Sequence, residues 1–232
     1  LSAATVEAEA VLGDFLHSVL RIRALSRRLL ESTSFQVLAA AAPGLPELLV
    51  LQRLLGWVEA RRLGRAVYDL VVVDAPASGH SLPLLAAPRT LGALVRFGPV
   101  GTLLGRLERL LADPASTLVC VVTTPEELAE RETVELHEAL RGHLGLPVAP
   151  PIVNAVPARR FPSGDTAALE RLDASHGDHP HVLAARFHVQ RHARAETQIA
   201  ALRQALGVRP IRLPFLFAAP DAPASVAALV AE

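Results

Sequence analysis

The strongest constraint on this chain is an apolar run that ends in an acid. Residues 70–73, Leu-Val-Val-Val, are followed by Asp74 and then by the Pro, Ser and Gly of residues 75–79. An aliphatic run bounded by turn residues predicts a buried parallel strand, which delivers Asp74 to the carboxyl edge of an α/β sheet, where such sheets bind ligands. An Asp there suits Mg²⁺ in phosphate-handling folds, although many strands end in Asp with no metal nearby.

The loop that follows Asp74 combines rigid, flexible and polar residues. Pro76 restricts the backbone and Gly79 frees it, while Ser78 supplies a hydroxyl and His80 an imidazole. These are the ingredients of a loop that changes shape around a terminal phosphate. The sequence therefore predicts a phosphate-responsive loop directly after the strand.

Residues 74–80, Asp-Ala-Pro-Ala-Ser-Gly-His, carry a family resemblance. They are similar to the switch II segment, Asp-Thr-Ala-Pro-Thr-Gly-His, of the ArsA family of arsenical pump-driving ATPases, which includes the ATPases that deliver tail-anchored membrane proteins. The chain departs from that pattern at Ala75 and Ser78, where the family usually has Thr, and its alanine and proline fall one place earlier. Some bacterial members of the family share these departures.

Three later segments resemble the same family in the same order. They are Thr-Pro-Glu-Glu-Leu with Glu-Thr, then Val-Asn, then Leu-Pro-Phe, at residues 124–133, 153–154 and 213–215. The first segment also fits an ordinary helix start, because Thr124 can cap a helix and Pro125 suits its first turn. Each segment is a weak signal by itself, and the resemblance depends on all of them together.

The resemblance implies an α/β fold, with a mostly parallel sheet of the P-loop NTPase type, flanking helices and an inserted helical subdomain. It implies a single ATPase domain over residues 1–232, truncated at its N-terminus. The expected helical subdomain covers about residues 3–64 and 88–112, and the expected nucleotide core covers about residues 66–87 and 116–232.

The resemblance also assigns roles to individual residues. It implies a catalytic set at the γ-phosphate that consists of Asp74, Ser78, Gly79 and His80. Within this set, Asp74 is implied to hold Mg²⁺ through water. It implies an adenine pocket made of Asn154, Pro214 and Phe215. ATP and Mg²⁺ are the implied cofactors, and the implied partners are a second copy of the chain and a membrane transporter or hydrophobic client protein. The implied location is the cytoplasm, with attachment to a membrane only through a partner.

The residues of the expected adenine pocket have simpler explanations as well. Asn154, the only Asn of the sequence, ends a predicted strand over residues 148–154, and its amide offers both a donor and an acceptor to a base. A single Asn in such a place more often marks a turn. Phe215 follows a predicted strand over residues 208–213 and offers a flat apolar surface for a nucleobase, whereas core packing is its default role.

A different enzyme class competes for the residues around Gly79. Residues 79–82, Gly-His-Ser-Leu, resemble the nucleophile elbow of a lipase, which would make Ser81 a nucleophile. The elbow needs a small residue two places after the serine, and this chain has Pro83 there. Residues 75–78 also separate Gly79 from the strand, so a serine hydrolase is the weaker hypothesis.

The composition excludes some classes of protein but does not identify a function. The chain has 232 residues, 51% of them hydrophobic, and a formal net charge of zero, which is typical of a globular domain and argues against nucleic-acid binding. No apolar run reaches the roughly 20 residues that a membrane helix needs. The one cysteine, Cys120, lies in a predicted strand over residues 117–122, which indicates a buried residue in a reducing compartment.

Helical periodicity appears on both sides of the organising strand. Val11, Phe15, Val19 and Ile22 form one stripe of an amphipathic helix expected over about residues 5–30. Further helices are expected from Pro46 to Gly64, from Val189 to Leu206 and after residues 220–223. Another helical region is expected to follow Pro88, to break at residues 98–101 and to resume from Leu103 to Leu111. A helix packed within its own domain is the default interpretation of the first stripe, and a groove for a hydrophobic partner is the alternative.

Histidine clustering suggests one further site. Five of the nine histidines lie between His176 and His192, and His188 and His192 are four residues apart on an expected helix. That spacing can hold Zn²⁺, but no Glu or Cys set flanks it, so a metal site is the weaker interpretation.

Two residue types are absent from the sequence, Lys and Met. A P-loop needs a Lys against the β- and γ-phosphates, and no Gly-rich loop with Lys occurs here. If the resemblance holds, the P-loop and first strand lie outside this chain, which alone is then expected not to hydrolyse ATP. The alternative is a binding or scaffold protein that keeps the fold without the chemistry, and sequence upstream of Leu1 would decide between the two.

Overall fold

Two units make up the chain, and they are built from different elements. The computed structural model describes residues 2–6, 11–13, 15, 43–176 and 179–216. One unit, here called the helical unit, comprises Leu1–Leu118 and Ala139–Pro147. The other, the sheet unit, comprises Val119–Glu138 and Val148–Glu232.

Helices pack on one another in the helical unit. Its elements are helix α1 (Leu45–Val58), a hairpin of β1 (Arg61–Arg62) and β2 (Arg65–Ala66), helix α2 (Ser78–Leu94) and helix α3 (Gly98–Ala112). The buried side chains of α1 and α3 recur at helical spacing, at Leu48, Leu49, Leu51 and Leu55 and at Leu104, Leu107 and Leu111. Burying such leucines stabilises the unit by about 1.5–3 kcal/mol each relative to exposure.

Helix α1 begins where the sequence indicates a turn and ends earlier than expected. Gly44 has φ +82° and precedes Leu45, with a proline in the first turn, as the Pro43-Gly44-Leu45-Pro46 sequence suggests. A side chain at Gly44 would be strained and would also meet Leu91, whose side chain lies 3.4 Å from an ideal Cβ. Residues beyond Val58 form the hairpin instead of continuing the helix to Gly64. Its turn residues Leu63 and Gly64 have φ of 52° and 80°, the left-handed pair that two-residue hairpins require.

The predicted strand over residues 70–73 is wrong. These residues are irregular, and Leu70 and Val72 are 78% and 83% exposed. A parallel strand is stabilised by neighbours on its edges and by cover on both faces. Among the described residues, the strands pair only within the β1–β2 hairpin and within the sheet unit, so none pairs with residues 70–73.

The predicted loop over residues 75–80 is also partly wrong. Residues 78–80 form the first turn of α2, because the carbonyl of Ala77 accepts from the amides of His80 at 2.9 Å and Ser81 at 3.1 Å. Pro83 lies inside this helix although helical structure was expected only after Pro88, which lies inside it too. Each proline removes one backbone donor, and the buried side chains of Leu84 and Ala87 on the same helix offset that loss.

The sheet unit has the parallel sheet that the sequence predicts. Its elements are β3 (Val122–Thr123), helix α4 (Glu127–Glu138), β4 (Ile152–Val156), helix α5 (Ser163–His176), helix α6 (Pro180–Leu206) and β5 (Ile211–Pro214). A short π-helix (Ala139–His143) follows α4 in the chain and belongs to the helical unit. The strand order is β3-β4-β5, and both pairs are parallel. The expected strands over residues 148–154 and 208–213 are confirmed a few residues later in the chain. The α/β class and the parallel sheet are therefore confirmed.

One face of this sheet carries the core of the unit. Val153 and Val156 of β4 are buried with Ile199 and Leu202 of α6, and Val134 of α4 packs against them. Helix α6 ends as predicted at Gly207, which has φ +66°.

Cys120 lies on the other face, and its predicted burial is wrong. The side chain is exposed, as are those of Leu118 and Val122, whereas Val121 and Thr123 are buried. Side chains alternate along a strand, so only the odd-numbered positions here point into the core. The apolar run was interpreted as buried on both faces, and it is buried on one.

Part of the predicted structure lies outside the described residues. Of the helix expected over residues 5–30, residues 11–13 and 15 are helical, and Val11 and Phe15 are buried as their stripe predicts. Val19 and Ile22 of that stripe are not described, nor is the helix expected after residues 220–223. None of the described helices combines the length and apolar character that crossing a membrane demands.

Candidate functional site

The residues expected at the γ-phosphate lie in the helical unit. Asp74 is exposed in the irregular stretch before α2, and Gly79 and His80 are exposed in the first turn of that helix. Ser78, whose backbone alone is described, begins the helix. An ideal Cβ at Gly79 would meet nothing within 4 Å, so neither space nor backbone requires a glycine in this conformation.

Asp74 supplies one carboxylate for a cation. Among the described residues, no group of three or more His, Cys, Asp or Glu side chains could hold a metal ion. Mg²⁺ keeps several of its waters and binds through one or two carboxylates together with substrate phosphates. A single exposed carboxylate therefore suits a magnesium ion that is already bound to a nucleotide. It does not suit a metal site whose ligands all come from the protein.

The residues expected at the adenine lie at the carboxyl edge of the sheet unit. Asn154 is exposed near the end of β4, and its Oδ1 accepts from the amide of Ala155 at 2.8 Å. Ala155 has φ +57°, and the register of β4 against β5 shifts between Val153 and Val156. This bulge returns Val156 to the buried face that Val153 occupies and leaves the Asn154 side chain on the exposed face.

Pro214 and Phe215 meet the same bulge from the next strand. Pro214 pairs with Val156, and the Phe215 amide donates to the Val156 carbonyl at 2.8 Å. Parallel strands end at one edge, so these two residues and Asn154 lie together at the end of β4 and β5. That edge is where α/β sheets bind ligands.

Helix α6 contacts this edge through Arg191, His192 and Glu196, of which the sequence singled out only His192, and for a metal site. The guanidinium carbon of Arg191 lies 5.0 Å from the centroid of the Phe215 ring. The Nδ1 of His192 lies 3.0 Å from the carbonyl oxygen of Pro157 and carries a proton, because that oxygen can only accept. One turn further on, Glu196 accepts from both terminal guanidinium nitrogens of Arg212 of β5, with 3.2 Å from Nη1 to Oε2.

Only faint signals for these contacts are present in the sequence. His192 and Glu196 lie four residues apart on α6 and Arg191 adjoins His192, but an exposed helix face has the same spacing. The fourfold spacing of His188 and His192 suggested zinc instead. The described structure shows His192 bound to a backbone carbonyl.

The lipase interpretation of Ser81 is not supported by its position. Ser81 is the fourth residue of α2 and its side chain is 9% exposed, whereas an elbow nucleophile stands on a sharp turn at the end of a strand. The stretch before α2 is no strand. The geometry thus separates two groups, one in each unit: the acid with the start of α2, and the amide with the Pro-Phe pair.

Comparison with known proteins points to ATPases. The chain is 27% identical over 172 residues to ATPase BagA of Mycobacterium tuberculosis strain H37Rv, and equally to a protein of Mycobacterium bovis that is provisionally named an ATPase. The similar region covers 73% of this chain and 50% of each relative, so the chain matches about half the length of these curated proteins. No protein-family model matches the chain.

Proposed function

We propose that the chain is the part of an ArsA-type ATPase that binds the nucleobase of ATP and senses its γ-phosphate. The observation that carries this proposal is the carboxyl edge of β4 and β5, where Asn154, Pro214 and Phe215 lie together. The similarity to proteins named ATPases supports it. In the intact protein, ATP hydrolysis changes the state of the helical unit, which handles a transport or membrane-protein partner.

The acid and the start of α2 act on the phosphate end of the nucleotide. Asp74 binds, through water, the Mg²⁺ that ATP brings, and the ion neutralises charge on the β- and γ-phosphates. Residues 78–80 sense the γ-phosphate. The His80 imidazole is exposed and can donate to a phosphate oxygen, and the amides at the start of a helix favour an anion in the same way.

Coupling to the helical unit follows from the position of the sensing residues within α2. Gly79 and His80 are part of its first turn, and α2 packs against both α1 and α3. A movement of these residues toward a phosphate therefore displaces α2 itself, without an intervening loop. In the intact protein we expect a homodimer, with hydrophobic clients or a membrane transporter as partners of the helical unit.

Binding of the nucleobase is tested on the 232-residue chain. Asn154→Ala removes the amide and should weaken ATP binding about fivefold or more, whereas Gln204→Ala removes an exposed amide elsewhere on α6 and should not change it. Isothermal titration with Mg-ATP at millimolar concentrations measures both. Equal affinities of the two variants would place the base elsewhere.

Hydrolysis is tested in two forms of the protein. The 232-residue chain contains no Lys, and we expect its phosphate release to stay at the level of an Asp74→Ala control. In any longer form that carries a P-loop, Asp74→Asn should reduce kcat more than it reduces ATP affinity, because the metal acts where charge develops. Equal losses would show that Asp74 has a structural role.

Coupling is tested by hydrogen exchange in that longer form, with and without a non-hydrolysable ATP analogue. We expect altered protection in α1, in α3 and at residues 74–80. A change confined to residues 74–80 would show that the helices are inert. A binding or scaffold protein without catalysis is the second candidate, and it predicts nucleotide binding without turnover in every form.

A further inference from the structure

The β1–β2 hairpin of the helical unit carries three arginines around one leucine. Its sequence over residues 61–65 is Arg-Arg-Leu-Gly-Arg, and every one of these residues is exposed. Leu63, at the tip, is 97% exposed. A single exposed leucine is ordinary on a protein surface, but this one has a backbone conformation that leucine rarely adopts.

The turn at Leu63 favours a different residue. Leu63 and Gly64 have φ of 52° and 80°, and two-residue hairpins prefer Asn-Gly or Asp-Gly at these positions. A leucine is strained there, because its Cβ approaches the following carbonyl oxygen. The residue therefore costs the hairpin stability while burying almost none of its own surface.

The arginines add a second unfavourable feature. Arg62 and Arg65 are paired directly across the two strands. Residues that lie opposite each other have their side chains on the same face of a hairpin, so these two positive charges repel. Among the described residues, none is hydrogen-bonded or ion-paired to either side chain. Glu59, which precedes the hairpin, is bonded to Arg106 of α3 instead.

The base of the hairpin is fixed to the end of α1. Nη1 of Arg61 donates to the carbonyls of Val58 and Ala60, at 3.0 and 3.1 Å. The Val67 amide donates to the Ala60 carbonyl at 3.0 Å and so extends the contact between the two strands. The hairpin therefore presents the tip leucine and the opposed arginines from a base that is held in place.

We propose that this hairpin contacts an anionic membrane surface, with Leu63 entering the boundary between headgroups and acyl chains while Arg62 and Arg65 bind lipid phosphates. Both unfavourable features are relieved there. Phosphates beside the two guanidinium groups offset their repulsion, and the acyl boundary buries the leucine. This contact is independent of the proposed nucleotide function, and it adds lipid to the partners proposed for the helical unit.

A membrane suits this tip better than a nucleic acid or a protein partner does. A nucleic acid offers phosphates but no apolar phase for Leu63, and the whole chain has a formal net charge of zero. A specific protein interface buries about 800 Å² on each partner, more than one protruding turn can supply. A lipid surface needs no complementary pocket and accepts a single inserted side chain.

The test is sedimentation of the 232-residue chain with two sets of vesicles. One set contains equal parts of phosphatidylcholine and phosphatidylglycerol, and the other contains phosphatidylcholine alone. We expect the anionic set to bind about tenfold more tightly than the neutral set, because each arginine near an anionic surface strengthens binding. High salt should remove most of this difference, because it screens the charges.

Two substitutions should improve the hairpin as a structure and weaken its binding. Leu63→Asn supplies the favoured turn residue, so the melting temperature should not fall, while the affinity for anionic vesicles should fall about fivefold. Arg62→Glu replaces a repelling pair across the strands with an attracting one and should lower that affinity about tenfold or more. Weaker binding without weaker folding separates a role at the membrane from a structural one.

The matched controls are Leu128→Asn and Arg194→Glu, at exposed positions on helices of the sheet unit, and both should bind vesicles as the parent chain does. Vesicle binding that both hairpin substitutions leave unchanged would overturn the proposal. Failure to bind the anionic vesicles would also overturn it, and binding of a duplex RNA probe instead would assign the arginines to nucleic acid. If Arg62→Glu weakens binding and Leu63→Asn does not, the insertion of Leu63 is wrong.

Discussion

Two stretches of the chain have the same sequence pattern and different structures. Residues 70–74 are an aliphatic run that ends in Asp, and residues 152–154 are a shorter aliphatic run that ends in Asn. The second is β4, hydrogen-bonded between β3 and β5. The first is irregular, with Val72 83% exposed. An aliphatic pattern indicates that a segment has apolar side chains that could be buried. Whether they are buried depends on the presence of neighbouring strands.

The comparison also separates two groups of candidate residues: those proposed to bind the base, here called the base end, and those proposed to bind the phosphates, here called the phosphate end. The base end is held by backbone hydrogen bonds, a bulge and three contacts from α6. The phosphate end is an exposed acid followed by the first turn of a helix. We therefore expect the base end to be formed before nucleotide arrives and the phosphate end to be formed by it.

The largest expected effect compares one core leucine with one exposed leucine. Leu202 is 2% exposed in the sheet unit, and Leu202→Ala should lower the free energy of unfolding by about 2–4 kcal/mol, through lost burial and a cavity. Leu70 is 78% exposed, and Leu70→Ala should change it by no more than about 0.5 kcal/mol. Urea unfolding followed by circular dichroism measures both. A large loss in Leu70→Ala would show that residues 70–73 are buried in solution.

Amide exchange sharpens the same contrast without a mutation. The Ile152 amide donates to the Val121 carbonyl at 2.9 Å within the sheet, whereas residues 70–73 belong to no strand. We expect exchange in residues 152–156 to be slower than in residues 70–73 by about 100-fold or more. Mass spectrometry of deuterated peptides measures the ratio. Equal protection would mean that residues 70–73 pair as a strand.

A smaller effect tests the bulge that forms the base end. Ala155 has φ +57°, a conformation that costs an L-residue about 1–2 kcal/mol and costs glycine little. After the entropic cost of glycine, Ala155→Gly should stabilise the chain by about 0.5 kcal/mol. Ala200→Gly, the same change inside α6, should destabilise it by about 1 kcal/mol. Thermal melts should therefore move in opposite directions, and a loss in both would argue that Ala155 is unstrained.

The smallest expected effect is a pH dependence in the helical unit. Asp113, at the end of α3, accepts from the Ser116 hydroxyl at 2.5 Å and the Ala115 amide at 3.0 Å, and these bonds lower the pKa of its carboxyl below 3.8. A lowered folded-state pKa stabilises the fold above pH 3.8 and loses that contribution as pH falls through the folded value. Asp113→Asn should therefore melt slightly lower than the parent at pH 7. The gap should shrink as the pH falls below 3.8 and through the lower folded-state pKa, and a constant gap would contradict the assignment.

The sequence predicted the sheet unit better than the helical unit, for a physical reason. The runs that became β3, β4 and β5 lie next to each other in the fold, and α6 ends at Gly207 as expected. The hairpin at Leu63 was missed because Leu-Gly is a poor signal for a turn that needs two positive φ angles. The start of α2 was missed because residues 75–80 were predicted to be a loop that responds to a phosphate.

Candidate site residues could be named from the sequence, but the contacts between them could not be predicted. Asn154, Pro214 and Phe215 were identified from the resemblance, and the structure brings them to one edge. The Arg191–Phe215 stack joins residues 24 positions apart in the numbering, and no local pattern encodes it. The occupied Oδ1 of Asn154 depends on the bulge at Ala155, which the apolar run conceals.

The exposed thiol of Cys120 is a natural site for a fluorescent label. It is the only cysteine in the sequence, so a maleimide dye attaches at one position without any engineering. By strand alternation and register, that position shares a face with Val122, Ile152 and Asn154. Fluorescence from the labelled chain would change when a nucleotide or another polypeptide binds at this face, without any label on the ligand.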